Sequence, residues 1–364
     1  MSVNARIAAW ALLGLTAAPF AHAETSSWIK QIEVHKAEPG PEPGNPGKGK
    51  PRKTVRTPKA DTTSDRFKSA PAPTTTDAKF LVKPTGEDAA YIAFDQGQYL
   101  TALKLAEAAA KRGEPQAHTL IGRLYGEGLG VSKNEAVAAQ WYQRGAELGD
   151  VQADFALALL YAEGRGVKKD RVKAAELFEK AARTGHPSAN YNLGLLFLKG
   201  DGKPQNPYRA AQHIRYAAEK GIAAAQYDLG GLYQNGVGVP PDALQASHWL
   251  GKAAAQGMAE AQFEYAVVLL RGLGLTRDEP KAVPYLKSAA KKGLASAQNR
   301  LAHVYAEGAG VKKNETEAAK WRLIAKASGL ADPKLDTFVE KLPQAERLAA
   351  QRAASEWREN AGLF

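Results

Sequence analysis

The 364-residue chain contains no cysteine, which excludes a disulfide framework, a thiolate zinc site and a lipidated N-terminal cysteine at once. Past the first two dozen residues, no apolar run approaches the ~18 residues that a membrane-crossing helix needs. A concentrated block of one charge sign is missing as well. Lys/Arg outnumber Asp/Glu 49 to 38, for a formal net charge of +11. The excess is diffuse: residues 24–87 carry 12 against 8, and residues 88–364 carry 36 against 30. Such mixed signs do not make the basic stripe that grips nucleic acid, so no nucleic-acid partner is expected.

What is present divides the chain into four parts. Residues 1–23 read as a secretory signal peptide. Arg6 supplies the positive start, and Ile7 to Ala18 form an apolar stretch of about a dozen residues, too short to span a bilayer at ~1.5 Å per residue. Ala21-His22-Ala23 is a small-x-small cleavage site. Cleavage between Ala23 and Glu24 places the mature chain in the periplasm or outside the cell; an uncleaved anchor is the competing reading. Residues 24–87 form a Pro-rich basic tether. Runs such as Glu38-Pro39-Gly40-Pro41-Glu42-Pro43-Gly44 hold too little apolar surface to offset ordering entropy, so disorder is expected. The stretch Lys48 to Lys59 reads either as a solvated spacer or as a contact for an anionic envelope polysaccharide.

From residue 88 the texture becomes Ala-rich helix with regular glycine. Ala117, Ala153, Ala189, Ala225, Ala261 and Ala297 stand 36 residues apart. Each is followed by an aromatic or leucine eight residues on, a Gly-x-Gly, an Asn or Asp, and a closing glycine. The first copy runs through Tyr125, Gly128, Gly130, Asn134 and Gly149, the sixth through Tyr305, Gly308, Gly310, Asn314 and Gly329. A period of this length marks a stacked repeat. Within one unit, Ala153, Leu157, Leu160 and Tyr161 share a helical face. Gly164 is placed to end that helix in the left-handed conformation, and Asp170 to cap the next, whose apolar side is Ala174, Leu177, Phe178, Ala181 and Ala182.

Isolated helices shorter than ~12–15 residues barely form in water, so these hairpins must lean on one another. The expected fold is all-α: an α/α solenoid, a right-handed superhelix of helix hairpins. The array spans 88–331, an opening hairpin 88–113 plus six 36-residue repeats. Residues 332–364 form capping helices, the last opening at Leu342-Pro343 with an apolar face of Ala345, Leu348, Ala349, Ala353 and Trp357. Pro284, inside the fifth repeat's second helix, predicts a bend or a late start there.

Motifs for chemistry are sparse. Ser288-Ala289-Ala290-Lys291 matches the Ser-x-x-Lys in which a lysine activates a serine, but no Ser-Asp-Asn or Lys-Thr-Gly accompanies it. It falls on the Ala-Ala end of a second helix, which explains it as a repeat position. His118, His213 and His303 are widely separated and none has a spacing such as His-Glu-x-x-His, so no metal and no cofactor are expected. Gly126, Gly128 and Gly130 follow a helix rather than a strand, which favours a turn over a phosphate loop.

A surface remains. Two and six residues after each opening Ala stand Thr119/Arg123, Phe155/Leu159, Tyr191/Leu195, Tyr227/Gly231, Phe263/Val267 and Asn299/His303. On a helical wheel they point away from the Ala-Leu-Tyr stripe. Mostly apolar central pairs between polar outer ones suit a peptide groove with a polar rim. Its candidate lining, on a concave face, is Phe155, Leu159, Tyr191, Leu195, Tyr227, Phe263 and Val267; packing between neighbouring repeats is the alternative. The pair Leu159→Asp and Leu195→Asp separates the two, abolishing binding in a groove and collapsing the fold in a core.

The run Ala225, Leu229-Gly230, Tyr233, Gly236, Gly238-Val239, Asp242, Ala246, Trp249, Ala253-Ala254 and Gly257 resembles the Sel-one-like repeat family of the tetratricopeptide superfamily, and the resemblance covers roughly residues 88–331. It implies a non-catalytic adaptor or scaffold for protein complexes, often in bacterial envelopes, with a protein or extended peptide as partner. Lys203 and Leu275 depart from the pattern's valine after Gly-x-Gly. Cysteine-rich members linked to penicillin binding and β-lactamase-like activity bridge each hairpin with a disulfide. A peptidoglycan- or β-lactam-directed enzyme is the alternative that this resemblance raises, and the absence of cysteine weakens it.

Overall fold

Asp170 begins its helix by accepting the Lys173 amide on its carboxylate at 2.9 Å, while its own amide donates to the Tyr161 carbonyl at 2.9 Å. The computed structural model, which describes residues 86–361, repeats this arrangement at Asn134, Asn206, Asp242, Asp278 and Asn314. One side chain thus satisfies a free helix-start N–H, at about 1 kcal/mol per cap, and pins the loop to the helix before it. The signal peptide and the tether up to residue 85 lie outside the described residues, as do residues 362–364.

The opening hairpin is α1 (Gly86–Asp95) and α2 (Tyr99–Lys111), turning at Gly97. Six hairpins follow: α3 (Pro115–Glu127) with α4 (Glu135–Glu147), α5 (Val151–Glu163) with α6 (Arg171–Arg183), and α7 (Pro187–Lys199) with α8 (Pro207–Glu219). The second three are α9 (Ala223–Asn235) with α10 (Ala243–Ala255), α11 (Ala259–Arg271) with α12 (Glu279–Lys291), and α13 (Ala295–Glu307) with α14 (Glu315–Ala327). The chain ends in α15 (Pro333–Lys341) and α16 (Gln344–Asn360). No strand occurs among the described residues, and from α1 to α14 each helix packs on the next. The architecture is the α/α solenoid expected.

The two glycines of Gly-x-Gly do different work. Gly164, at φ 77°, closes α5 in the left-handed conformation, its amide donating to the Leu160 carbonyl at 2.8 Å. Gly166 sits against the start of α4 in the preceding repeat, where a Cβ would lie 2.2 Å from the Glu135 carbonyl oxygen. The same close approach recurs from Gly202 to Arg171, Gly238 to Pro207, Gly274 to Ala243 and Gly310 to Glu279. The second glycine is therefore the contact that lets one repeat seat on the last.

Three expectations are corrected. Helix α12 runs from Glu279 through Pro284 with the same 13 residues as its counterparts, so the proline does not delay its start. Helix α1 begins at Gly86, two residues inside the segment assigned to the tether. The lid helix α16 buries Ala350 and Ala354 and half-buries Trp357 and Ala353, whereas Ala345, Leu348 and Ala349 are exposed. Its buried face is set by packing on α14, where Ala350 meets Ala319 and Trp357 meets Trp321 edge-on at 5.6 Å.

Candidate functional site

Of the seven proposed groove residues, five are core. Phe155, Leu159, Tyr191, Leu195 and Tyr227 are all buried, and Leu195 retains 1% of its surface. Helix α7 is buried without a break from Ala189 to Leu198. The reason is geometric: a first helix in mid-array is enclosed by its own second helix and by the repeats on either side. Phe155 stacks on His186, the N-cap of α7, at 4.5 Å, and the Tyr191 hydroxyl donates to Asp228 Oδ2 of α9 at 2.8 Å. Leu159→Asp or Leu195→Asp would bury an unpaired charge, so both belong to the outcome that collapses the fold. Phe263 and Val267, on α11, remain half-exposed.

The outer polar pairs are not a rim either; they fasten the ends. Thr119 donates to Asp150, and the Arg123 guanidinium lies 4.5 Å over the Phe94 ring of the opening hairpin. At the other end, Asn299 and His303 both reach Asp332 Oδ2 at 2.8 Å. Burial would raise the Asp332 pKa, but hydrogen bonds from Asn299, the Leu335 amide and His303 outweigh it and hold the carboxyl at about 2. Arg322, 1% exposed, completes this lock by donating to Asp336, Asn299 and the Leu330 carbonyl.

A second set of residues carries a regular signal that the helical-wheel reading passed over. The residue after each opening Ala is polar and buried in all six repeats: His118, Asp154, Asn190, Gln226, Gln262 and Gln298. Four of them donate to the carbonyl eight residues upstream, Asn190 to Ala182, Gln226 to Ala218, Gln262 to Ala254 and Gln298 to Ala290, at 3.0–3.3 Å. Those carbonyls end the previous second helix and accept only the amide of the closing glycine three residues on, so the side chain adds a second donor. Asp154 cannot donate, and Lys180 replaces its missing N–H, bonding both the Ala146 carbonyl at 2.8 Å and Asp154 at 2.9 Å. Burial pushes the Asp154 carboxyl up, against the pull of Lys180.

Two open surfaces are left. On the outer edge, Leu100, Val172, Tyr208 and Leu244 hold the same place in their helices and are each more than half exposed. Between the C-terminal ends of α11 and α13 lies a cleft of about 160 Å³. Val267, Leu270 and Val304 give it an apolar lining, and Arg271, Arg277, Arg300, Glu279 and Glu307 a charged one.

The residues singled out for chemistry are dispersed. Ser288 is half-buried and Lys291 exposed in the last turn of α12, and no hydrogen bond joins their side chains. His118 Nδ1 meets the Glu114 carbonyl at 2.9 Å, and His213 Nδ1 meets Asn190 Oδ1 at 2.9 Å. Burial, joined by the nearby Arg209 charge, lowers the His213 pKa. Among the described residues no three His, Asp or Glu side chains gather to hold a metal, and no helix is long and apolar enough to cross a membrane.

No curated protein is matched by sequence. Among solved structures, a Sel1 repeat protein from Oxalobacter formigenes is 33% identical with a TM-score of 0.59, covering 68% of this chain and 99% of its own. A protein described as a protective antigen present in uropathogenic Escherichia coli strains, displaying an SLR fold, is 27% identical with a TM-score of 0.51, covering 75% of this chain and 68% of its own. The Sel1 repeat family model matches six consecutive segments, 115–150, 151–186, 187–222, 223–258, 259–294 and 295–329. Each begins with a first helix and closes at or just after its terminal glycine, so the period read from the sequence, the stacked hairpins and the family model agree, and the chain belongs to the Sel1 repeat family.

Proposed function

We propose that this chain is a non-catalytic interaction scaffold of the bacterial cell envelope, which holds a partner protein or an extended peptide against the first helices of its last two full repeats. The observation that carries this reading is a contrast in burial. The middle of the array is packed shut at Tyr191 and Leu195, while Phe263 and Val267 stay half-open at a cleft lined by both apolar side chains and arginines. A rigid row of hairpins with a half-open apolar patch suits recognition, because the patch is held in place before the partner arrives and little ordering entropy is lost on binding. The family supports a scaffold role; export rests on the Arg6 to Ala23 segment and is part of the proposal.

The test is capture from an envelope extract on three immobilised proteins. These are the wild type, Phe263→Ala with Val267→Asp, and Tyr208→Ser with Leu244→Ser on the outer edge. A protein retained by the first and third and lost from the second, at unchanged melting temperature, is the expected result. Loss from the outer-edge variant instead would move the site, and no retention by the wild type would contradict the scaffold reading. An anionic polysaccharide held through the tether would bind all three equally and fall away in high salt.

A further inference from the structure

From the cleft between α11 and α13 we infer that this site takes the C-terminal carboxylate of a partner polypeptide ending in an apolar residue; the inference rests on the scaffold reading and specifies its partner.

The charged groups of the cleft neutralise one another only in part. Arg277 is occupied by Glu279, and His303 lies between Asp332 at 2.8 Å and Glu307 at 3.6 Å. Glu307 has 68% of its side chain in solvent, which screens it. Arg271 and Arg300 form no ion pair among the described residues. Two guanidiniums with no acceptor among the described residues, on neighbouring helices of one cleft, call for a planar oxyanion, since an arginine fork matches a carboxylate with two parallel hydrogen bonds.

The apolar lining selects among oxyanions. Val267, Leu270 and Val304 offer nothing to a phosphate or sulfate, whose surface is polar all round. A side-chain carboxylate comes on an unbranched stem and would leave those apolar side chains uncovered. A chain terminus carries its carboxylate and its side chain on one carbon, so both fall within one small volume. The cleft is that small: about 160 Å³, below the ~300–1,000 Å³ of cofactor-sized sites. A polypeptide source, rather than a free small acid, fits because the half-open Phe263 and Val267 continue the apolar surface away from the cleft along α11.

The experiment follows the amide NMR signals of Val267, Leu270 and Val304 in the whole chain. The probes are N-acetyl-leucine, N-acetyl-leucinamide, and the peptide acetyl-Ala-Gly-Ser-Ala-Leu with a free or an amidated end. The free peptide should bind at least about tenfold tighter than its amide and than N-acetyl-leucine. Arg271→Gln with Arg300→Gln should bring the free peptide down to the level of the amide. Equal binding of acid and amide, or no shift with any probe, overturns the inference. N-acetyl-leucine binding as tightly as the free peptide overturns the polypeptide source. If acid and amide bind equally and Phe263→Ala with Val267→Asp weakens both, the scaffold reading stands and the terminus assignment alone falls. Should the double arginine variant fail to fold, the acid-against-amide comparison on the wild type still decides.

Discussion

Tyr191, 2% exposed, donates its hydroxyl to Asp228 Oδ2 at 2.8 Å, and Asp228 has no accessible surface, so one buried hydrogen bond joins α7 to α9 across a repeat boundary. Removing the donor leaves a dry carboxylate short of a partner. Tyr191→Phe should therefore lower unfolding free energy by about 1–3 kcal/mol, read by denaturant titration. Asp228→Asn, whose amide oxygen can still accept, should cost less. Equal stability of Tyr191→Phe and wild type would show that the bond contributes nothing.

The buried polar ladder makes a rescue prediction. Lys180→Met should destabilise by about 1–3 kcal/mol, because the Ala146 carbonyl and Asp154 lose their shared donor. Adding Asp154→Gln supplies the amide that Gln226, Gln262 and Gln298 already use, and the double variant should regain wild-type stability within about 0.5 kcal/mol. A double variant no better than Lys180→Met would contradict the ladder.

Stacking is tested at two glycines of similar backbone and different surroundings. Gly149, at φ 92°, has nothing within 4 Å of a would-be Cβ, so Gly149→Ala carries only the left-handed cost of about 1–2 kcal/mol. Gly166 shares the positive φ, but a Cβ there would lie 2.2 Å from the Glu135 carbonyl, and Gly166→Ala should cost clearly more, about 3 kcal/mol or above, by prising two repeats apart. Similar losses in the two would mean that the close approach is unimportant.

Asp332 gives a pH signature to the C-terminal lock. Its folded pKa, about 2, lies below the ordinary 3.8, so the folded state favours the carboxylate. That contribution, about 1–2 kcal/mol, is complete above pH ~4 and lost as pH falls towards ~2. Asn can still cap α15, so Asp332→Asn isolates the charge. The variant should melt below wild type at neutral pH and with it near pH 2; a constant gap would exclude the carboxylate as the source.

What was legible in the sequence was local chemistry. Asp170 caps and Gly164 terminates because each acts within one turn of its own position, and the 36-residue period set their order. Five of the seven groove residues are core, not surface, because side chains such as Tyr191 and Leu195 are enclosed by helices up to 37 residues away, which a wheel drawn for one helix does not contain. The lid failed alike: whether Leu348 or Ala350 turns inward depends on where α16 meets Ala319, not on the periodicity of α16 itself. The polar ladder was visible as six polar residues beside six alanines. Read by hydrophobic pattern alone, that position carries no meaning; read as a donor eight residues past a helix end, it does.

The scaffold reading meets its most direct test in amide hydrogen exchange of the full chain with and without its captured partner. Slowed exchange confined to the last two turns of α11 and α13, around Val267 and Val304, with the outer edge at Tyr208 and Leu244 unchanged, is the result predicted. Slowing along the outer edge, or no change anywhere at saturating partner, would contradict it.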